Sequence, residues 1–540
     1  MPHPFVRPDT KARSRTDRRR IRALLDVGEK IEALGVMHRL PEIIAALSDT
    51  RAAAQGASPP QAPLDPIWRA WDKPAALARP VACPSRLRRL GSWLLIACVP
   101  LMAFGAFARS FVRRPRTPDA AIWLGMSTRL LHRHGSTRNP GRRPALLTLA
   151  DLNQNLLVLG GIGSGKTTSV IQPVLLQCFA QGMAGLIFDI KGDFGETVAA
   201  LAKKTGRTLI VIGPRRHAMN LLRGLTPEAA AGFLKSALLL AGPSSDPFWM
   251  DTAVELCRNA LGVLSFIPEH YSLAGLYEYL FHDEARERRD RELRAIEAGL
   301  APQALRLLRS YQSYHEGVFT RFDAKVVAGV LASAAQVLTP FTHPDLVDAF
   351  CPPVDALSID TLSAGEIFLV DLPLPVWGIG AKVIYTFLKL RFFQYMQRRP
   401  LSERARPVLF VCDEYQEIVS ANKDGLSDLN FWDKGRAFGA IGLISAQAVA
   451  SFYAALGDRD LADTLLQNFR QKLCLRTEDL HTISFFERLL GRTSQRTSKG
   501  HAHVSAQLVR RLYPRQALAV LSCAGHAVED VVDLPAVFVD

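Results

Sequence analysis

Disulfide and zinc chemistry are what this chain most plainly lacks. Its eight cysteines, Cys83, Cys98, Cys178, Cys257, Cys351, Cys412, Cys474 and Cys523, are scattered, and no two form a C-x-x-C pair. That excludes a disulfide scaffold and argues against a structural zinc site. Several lie in apolar runs such as VLFVC, which points to small core residues in a reducing compartment. A cleaved signal is not evident either. The polar, Arg-rich opening stretch, KARSRTDRRR up to Arg20, is not followed by an apolar run at signal-peptide spacing. No internal repeat is apparent. With 48% hydrophobic and 22% charged residues, the chain is not disordered as a whole.

At 540 residues the chain has room for two or three domains. Lys and Arg number 66 against 51 Asp and Glu, a net charge of +15 and a pI near 9.6. An excess of this size favours a polyanionic partner, nucleic acid or anionic lipid headgroups, although a soluble basic protein would show the same number.

Residues 1–67 read as a basic N-terminal region, helical in spacing over 21–48, that ends in the linker AAAQGASPPQAPLDPI. Leu90 to Ala108, LGSWLLIACVPLMAFGAFA, carries no charge over 19 residues. It is just long enough for a bilayer core, which needs ~20 apolar residues. Arg86, Arg88 and Arg89 precede it, Arg109, Arg113, Arg114 and Arg116 follow it, and Trp93 sits near one end. Residues 86–114 therefore read as a membrane anchor, with a buried soluble helix as the alternative. Pro100 is tolerable in a spanning helix.

Beyond residue 145, apolar runs alternate with helical stretches. LLVLG (156–160), GLIFDI (185–190), TLIVIG (208–213), EIFLVDL (366–372), PVLFVCDE (407–414), AIGLISAQ (440–447) and QKLCLRT (471–477) predict strands. Unbroken Val/Ile/Leu runs predict a parallel sheet covered on both faces, an α/β fold. Residues 225–345 lack such runs and predict an all-α insertion dividing the core into 115–224 and 346–540.

Gly160-Gly161-Ile162-Gly163-Ser164-Gly165-Lys166-Thr167, followed by Thr168, fits the phosphate loop G-x-x-x-x-G-K-[ST]. A predicted strand precedes it and a predicted helix follows. Its backbone N–H groups would wrap the phosphates of ATP, Lys166 would reach the β- and γ-phosphates, and Thr167 would ligate Mg²⁺. Asp413 and Glu414 end an apolar strand, where ligands bind in such sheets. Asp413 would hold the Mg²⁺ water shell and Glu414 would orient or deprotonate the attacking water. Gln447, at the end of AIGLISAQ, would sense the γ-phosphate or position water. Arg436 could reach a neighbouring subunit's phosphate as an arginine finger, with Arg470 as the competing choice. Asp189-Ile190-Lys191-Gly192-Asp193 is either structural or part of a subunit interface.

Six stretches in order resemble the type IV secretion coupling proteins, the TraG/TraD-type ATPases of conjugation. They are NLLVLGGIGSGKTTSVIQPVL, GLIFDIKGDF, DPFWMDTAVELCRNAL, PVLFVCDEYQEI, GRAFGAIGLISAQ and NFRQKLCLRTEDLHT. The phosphate loop alone does not separate this family from other motors. The D-x-K-G stretch, the P-F-W opening a helix and the later DE-then-Q order are more specific. The resemblance implies a membrane-anchored, homohexameric, RecA-like ATPase of the bacterial inner membrane, its ATPase domain cytoplasmic. It also implies an all-α domain that meets DNA or the relaxase complex, and delivery of that cargo to a secretion channel. The nucleotide roles carry over onto Lys166, Thr167, Asp413, Glu414, Gln447 and Arg436. One departure is that many members have two N-terminal spans, whereas this chain shows one. The basic residues before it sit badly with export under the positive-inside tendency. A receptor for protein effectors, or a duplex-DNA translocase of the FtsK/HerA type, are the alternatives.

Overall fold

The structure is a computed structural model that describes residues 121–133, 143–242, 247–353, 357–359, 362, 365–421, 425–491 and 504–535. The basic N-terminal region, the linker and the anchor expected at 86–114 lie outside the described residues.

Eleven strands form one sheet. They are β1 (Ala121–Ser127), β2 (Pro144–Thr148), β3 (Leu156–Leu159), β4 (Ala184–Asp189), β5 (Leu209–Ile212), β6 (Ile367–Asp371), β7 (Val408–Cys412), β8 (Ala440–Ala446), β9 (Gln471–Cys474), β10 (Gln516–Cys523) and β11 (His526–Asp533). Their spatial order is β2-β1-β11-β10-β9-β3-β8-β7-β4-β6-β5. From β9 to β5 all neighbours run parallel. From β9 to β2 they run antiparallel. All seven strands expected from apolar runs are present in the parallel part.

The parallel strands are buried on both faces, which is why they read as unbroken apolar runs. Side chains alternate between two cores. Leu186 and Phe188 of β4 and Phe410 of β7 join one core. Ile187 of β4, and Leu409 and Val411 of β7, join the other. The second core is closed by α1 (Gln172–Ala180) and α2 (Gly195–Lys204).

Between β5 and β6 the described residues are helical. The stretch contains α3 (Pro227–Ala241), α4 (Pro247–Leu264), α5 (Leu273–Phe281), α6 (Asp283–Glu297), α7 (Pro302–Gly317) and α8 (Ala324–Leu338). Local chemistry sets their starts. Thr226, Ser272 and Asp323 accept backbone N–H groups at the first turns of α3, α5 and α8. Close packing needs small residues: a Cβ on Gly262 would sit 2.3 Å from the Tyr311 ring, and one on Gly329 2.5 Å from Trp249. Trp249, from the P-F-W stretch, thus docks α4 against α8. Among the described residues one helical run, Ala324–Thr342, is long and apolar enough to cross a membrane. Its Val330, Ala334, Val337 and Leu338 are buried in the first core, so one face of it packs inward. A long helix, α9 (Leu374–Arg398), follows β6 and lies in the same core. Its buried Tyr385 hydroxyl donates among the carbonyls of Asp189, Val370 and Leu372, pinning the ends of β4 and β6 together.

Candidate active site

The phosphate loop joins β3 to α1 through one π-helical turn, Thr167–Ile171. Wide turns of this kind occur mostly at functional sites. Gly163 and Gly165 have φ of +67° and +87°, a conformation that glycine takes without strain. The Gly161 N–H donates to the Arg476 carbonyl at 2.9 Å, which ties the loop to the end of β9. A Cβ on Gly160 would approach Ser164 Oγ to 2.6 Å and Leu475 Cβ to 2.9 Å. Lys166 is buried, and its Nζ donates to the carbonyls of Gly160 at 2.8 Å and Gly161 at 3.4 Å. Burial holds its pKa below the ordinary lysine value, opposed by the nearby Asp413 and Glu414 and reinforced by Lys191. Thr168 Oγ1 donates to Gly165 O at 3.4 Å and faces solvent.

Thr167 Oγ1 donates to Asp413 Oδ2 at 3.0 Å. The other oxygen of Asp413 accepts from the Ser445 hydroxyl and from the Glu414 N–H. Hydroxyl and carboxylate oxygens converging beside a phosphate loop are the hard donors that Mg²⁺ prefers, so the residues fit that ion. Glu414 has a left-handed backbone, φ +56° and ψ +45°, which is uncommon for a non-glycine residue and typical of functional turns. The residue is 4% exposed. Its carboxylate accepts from Gln416 Nε2 at 2.6 Å and from Gln447 Nε2 at 3.4 Å. Lys191 Nζ lies 2.5 Å from Glu414 Oε1 and 3.9 Å from Asp413 Oδ2. Burial works against the charge on Lys191, but the two carboxylates outweigh it and raise its pKa.

Lys166, Thr167, Asp413, Glu414 and Gln447 therefore share one edge of the sheet, at the C-terminal ends of β3, β7 and β8. Arg436 does not join them. It is exposed in a short helix, Gly435–Phe438, that leads into the start of β8, and its carbonyl accepts from Asn153 at 3.3 Å. The seven residues of β8 put roughly 20 Å between it and Gln447, at ~3.3 Å per residue. Arg470 lies at the same far edge, just before β9.

Three contributors were not assigned from sequence. Ser445 is two residues before Gln447 on β8, so its position along the strand is a usable signal. Gln416 has no such signal, because its reach to Glu414 depends on the left-handed turn. Lys191 was visible in the D-x-K-G stretch, but its partner was not. Asp189 of that stretch is structural, since its carboxylate accepts the N–H groups of Gly192, Phe194 and Gly195 at 2.7, 3.0 and 2.7 Å. The six described cysteines are all buried and free. Burial pushes the thiols of Cys178, Cys257, Cys351 and Cys523 up to about 12, which keeps them inert.

Residues 147–290 and 381–511, just over half the chain, match the family described as the type IV secretion-system coupling protein DNA-binding domain. The chain belongs to this family. No curated protein sequence matches it significantly. Among solved structures, the unbound bacterial conjugative coupling protein TrwBdeltaN70 is 15% identical with a TM-score of 0.53, covering 73% of this chain and 87% of that one. Plasmid coupling protein TrwB in complex with ADP and Mg²⁺ is 16% identical with a TM-score of 0.55, covering 77% and 94%. The same protein with a non-hydrolysable ATP analogue is 16% identical with a TM-score of 0.54, over the same shares. At this identity the likeness is one of fold, and the mostly parallel sheet of this coupling-protein family member is the shared element.

Proposed function

We propose that this chain is an ATPase that drives single-stranded DNA, with a relaxase attached, toward a type IV secretion channel. The observation that carries the reading is the convergence, in a member of the coupling-protein family, of Lys166, Thr167, Asp413, Glu414 and Gln447 on one sheet edge. Lys166 holds the β- and γ-phosphates of ATP. Mg²⁺ held by Thr167 and Asp413 would supply positive charge against the phosphate oxygens. Glu414 orients the attacking water and accepts its proton, and Gln447 positions it. Support for nucleotide and Mg²⁺ comes from TrwB, a protein of the same fold whose structures hold ADP with Mg²⁺ and an ATP analogue.

Arg436 lies too far from the Lys166 site of its own chain to act there. A finger role requires a neighbouring copy, so the reading includes a ring, a homohexamer by family resemblance. The anchor at 90–108 would place the ring at the inner membrane with the ATPase domain in the cytoplasm. Most of the basic excess lies in residues 1–120, with 21 Lys and Arg against 10 Asp and Glu. The ATPase body is therefore only mildly basic. Its charged helix α6 is internally paired, Arg286 with Asp283 at 2.5 Å and Arg289 with Glu292 at 2.8 Å.

One observation favours the second reading, a receptor for protein cargo. A cavity of about 690 Å³ among α4 to α8 has an apolar wall that includes Phe281, Phe319 and Leu331, and a rim of both charge signs that includes Arg286, Arg294 and Glu316. That lining suits a peptide better than a phosphate backbone.

Steady-state hydrolysis by the full-length protein, with no DNA, single-stranded DNA or duplex DNA, separates the readings. Stimulation by single strands supports the DNA motor, indifference to DNA moves the function to protein cargo, and preference for duplex moves it to a duplex translocase. Lys166→Ala should reduce turnover at least about a hundredfold. Turnover retained in that variant overturns the phosphate-loop assignment.

A further inference from the structure

Glu414 is the group asked to face water, yet both of its carboxylate oxygens are engaged by side chains. Gln416 occupies one oxygen, and Lys191 and Gln447 occupy the other. A carboxylate hydrogen-bonded to a lysine is a weak proton acceptor, because the shared proton and the positive charge both hold its electrons. Hydrolysis needs Lys191 to move away.

The lysine is built to be delivered to this spot and to leave it. Its backbone is fixed: the Asp189 carboxylate clamps the turn that carries it through three N–H groups. Gly192 has φ +83°, and a Cβ there would sit 2.5 Å from Pro373. The side chain is the more open of the pair, with 43% exposure against 5% for its Glu414 partner. A fixed base with an exposed charged tip describes a switch arm rather than a buried strut. Besides Glu414 and the Asp413 oxygen 3.9 Å away, the terminal phosphate of an ATP bound at Lys166 would be an acceptor at this edge, and a stronger anion than one carboxylate.

We propose that Lys191 is a positioning residue that alternates between Glu414 and the γ-phosphate, so that binding of ATP, and not of ADP, uncovers Glu414. The inference rests on the ATPase reading above and adds the means by which the site tells ATP from ADP.

The test is equilibrium binding of fluorescent ADP and of a fluorescent non-hydrolysable ATP analogue to the full-length protein. Lys191→Met should weaken the ATP analogue about tenfold relative to ADP, the worth of one charged hydrogen bond. Lys191→Arg should recover most of the preference, because it restores the charge. Glu414→Gln should tighten the analogue selectively, since it releases the lysine, and Lys191→Met in that background should erase the gain. Equal changes for both nucleotides in Lys191→Met, or a Glu414→Gln gain that survives without Lys191, would show a static neutraliser and overturn the switch. Failure of the unaltered protein to bind either nucleotide would instead overturn the ATPase reading itself.

Discussion

The two edges of the parallel sheet are built from the same strands and do different work. At the C-terminal edge, charged groups are packed together around the buried Lys166 and Glu414. Thr167 bonds Asp413, Gln447 reaches Glu414, and Lys191 bridges the two acids beside the buried Lys166. At the N-terminal edge, Arg436 and Arg470 stand exposed and apart. Convergence at one edge makes a pocket lined by a single chain. Exposure at the other leaves two arginines open to another molecule.

That contrast can be broken most sharply at Arg436. Arg436→Ala should lower hydrolysis about 10³-fold, the low end of an arginine finger's contribution, while nucleotide binding holds. Mixing this variant with Lys166→Ala should restore partial turnover, because some interfaces would pair an intact phosphate loop with an intact arginine. Failure of every mixture to regain activity would assign Arg436 to its own subunit or to folding. Gln447→Ala sharpens the near edge: with only a 3.4 Å contact to Glu414, it should reduce kcat about tenfold and leave KM for ATP nearly unchanged. A rise in KM with constant kcat would make Gln447 a binding group instead.

The smallest effect concerns stability. Lys472 of β9 is 5% exposed, and burial lowers its pKa to about 8 from 10.5. Its ammonium donates to the Phe469 carbonyl. Between pH 8 and 10.5 the unfolded chain binds the proton that the folded chain has lost, so stability rises with pH through that window, and the full penalty applies below it. Lys472→Met should therefore stabilise the protein by about 1–2 kcal/mol at pH 7, after the lost hydrogen bond, with the gain shrinking at about pH 9.5. Paired thermal melts at the two pH values check it. A pH-independent difference would show that packing, and not ionisation, sets the change.

What could be read from residues alone follows the same division. The parallel strands were visible because burial on both faces forces unbroken apolar runs. The antiparallel extension was not. HAVEDVVD of β11 interrupts its apolar pairs with Glu and Asp and so has no long apolar run, and β1 breaks its register between Trp123 and Gly125. At Gly125 a Cβ would collide with the Asp533 carbonyl at 2.0 Å. Within the site, the phosphate loop and the acid pair are local signals. The Lys191–Glu414 contact is not, because nothing between residues 191 and 414 states that β4 lies beside β7.

β8 has all seven residues buried. It starts one residue beyond the helix that carries Arg436 and ends one residue before Gln447. A strand packed on every side and bonded to a neighbour on each edge cannot bend or slide alone. It therefore holds Gln447 and Arg436 at a fixed spacing. The pocket and the exposed arginine are thus the two ends of one stiff segment, and neither end can be re-aimed without disturbing the strands on either side.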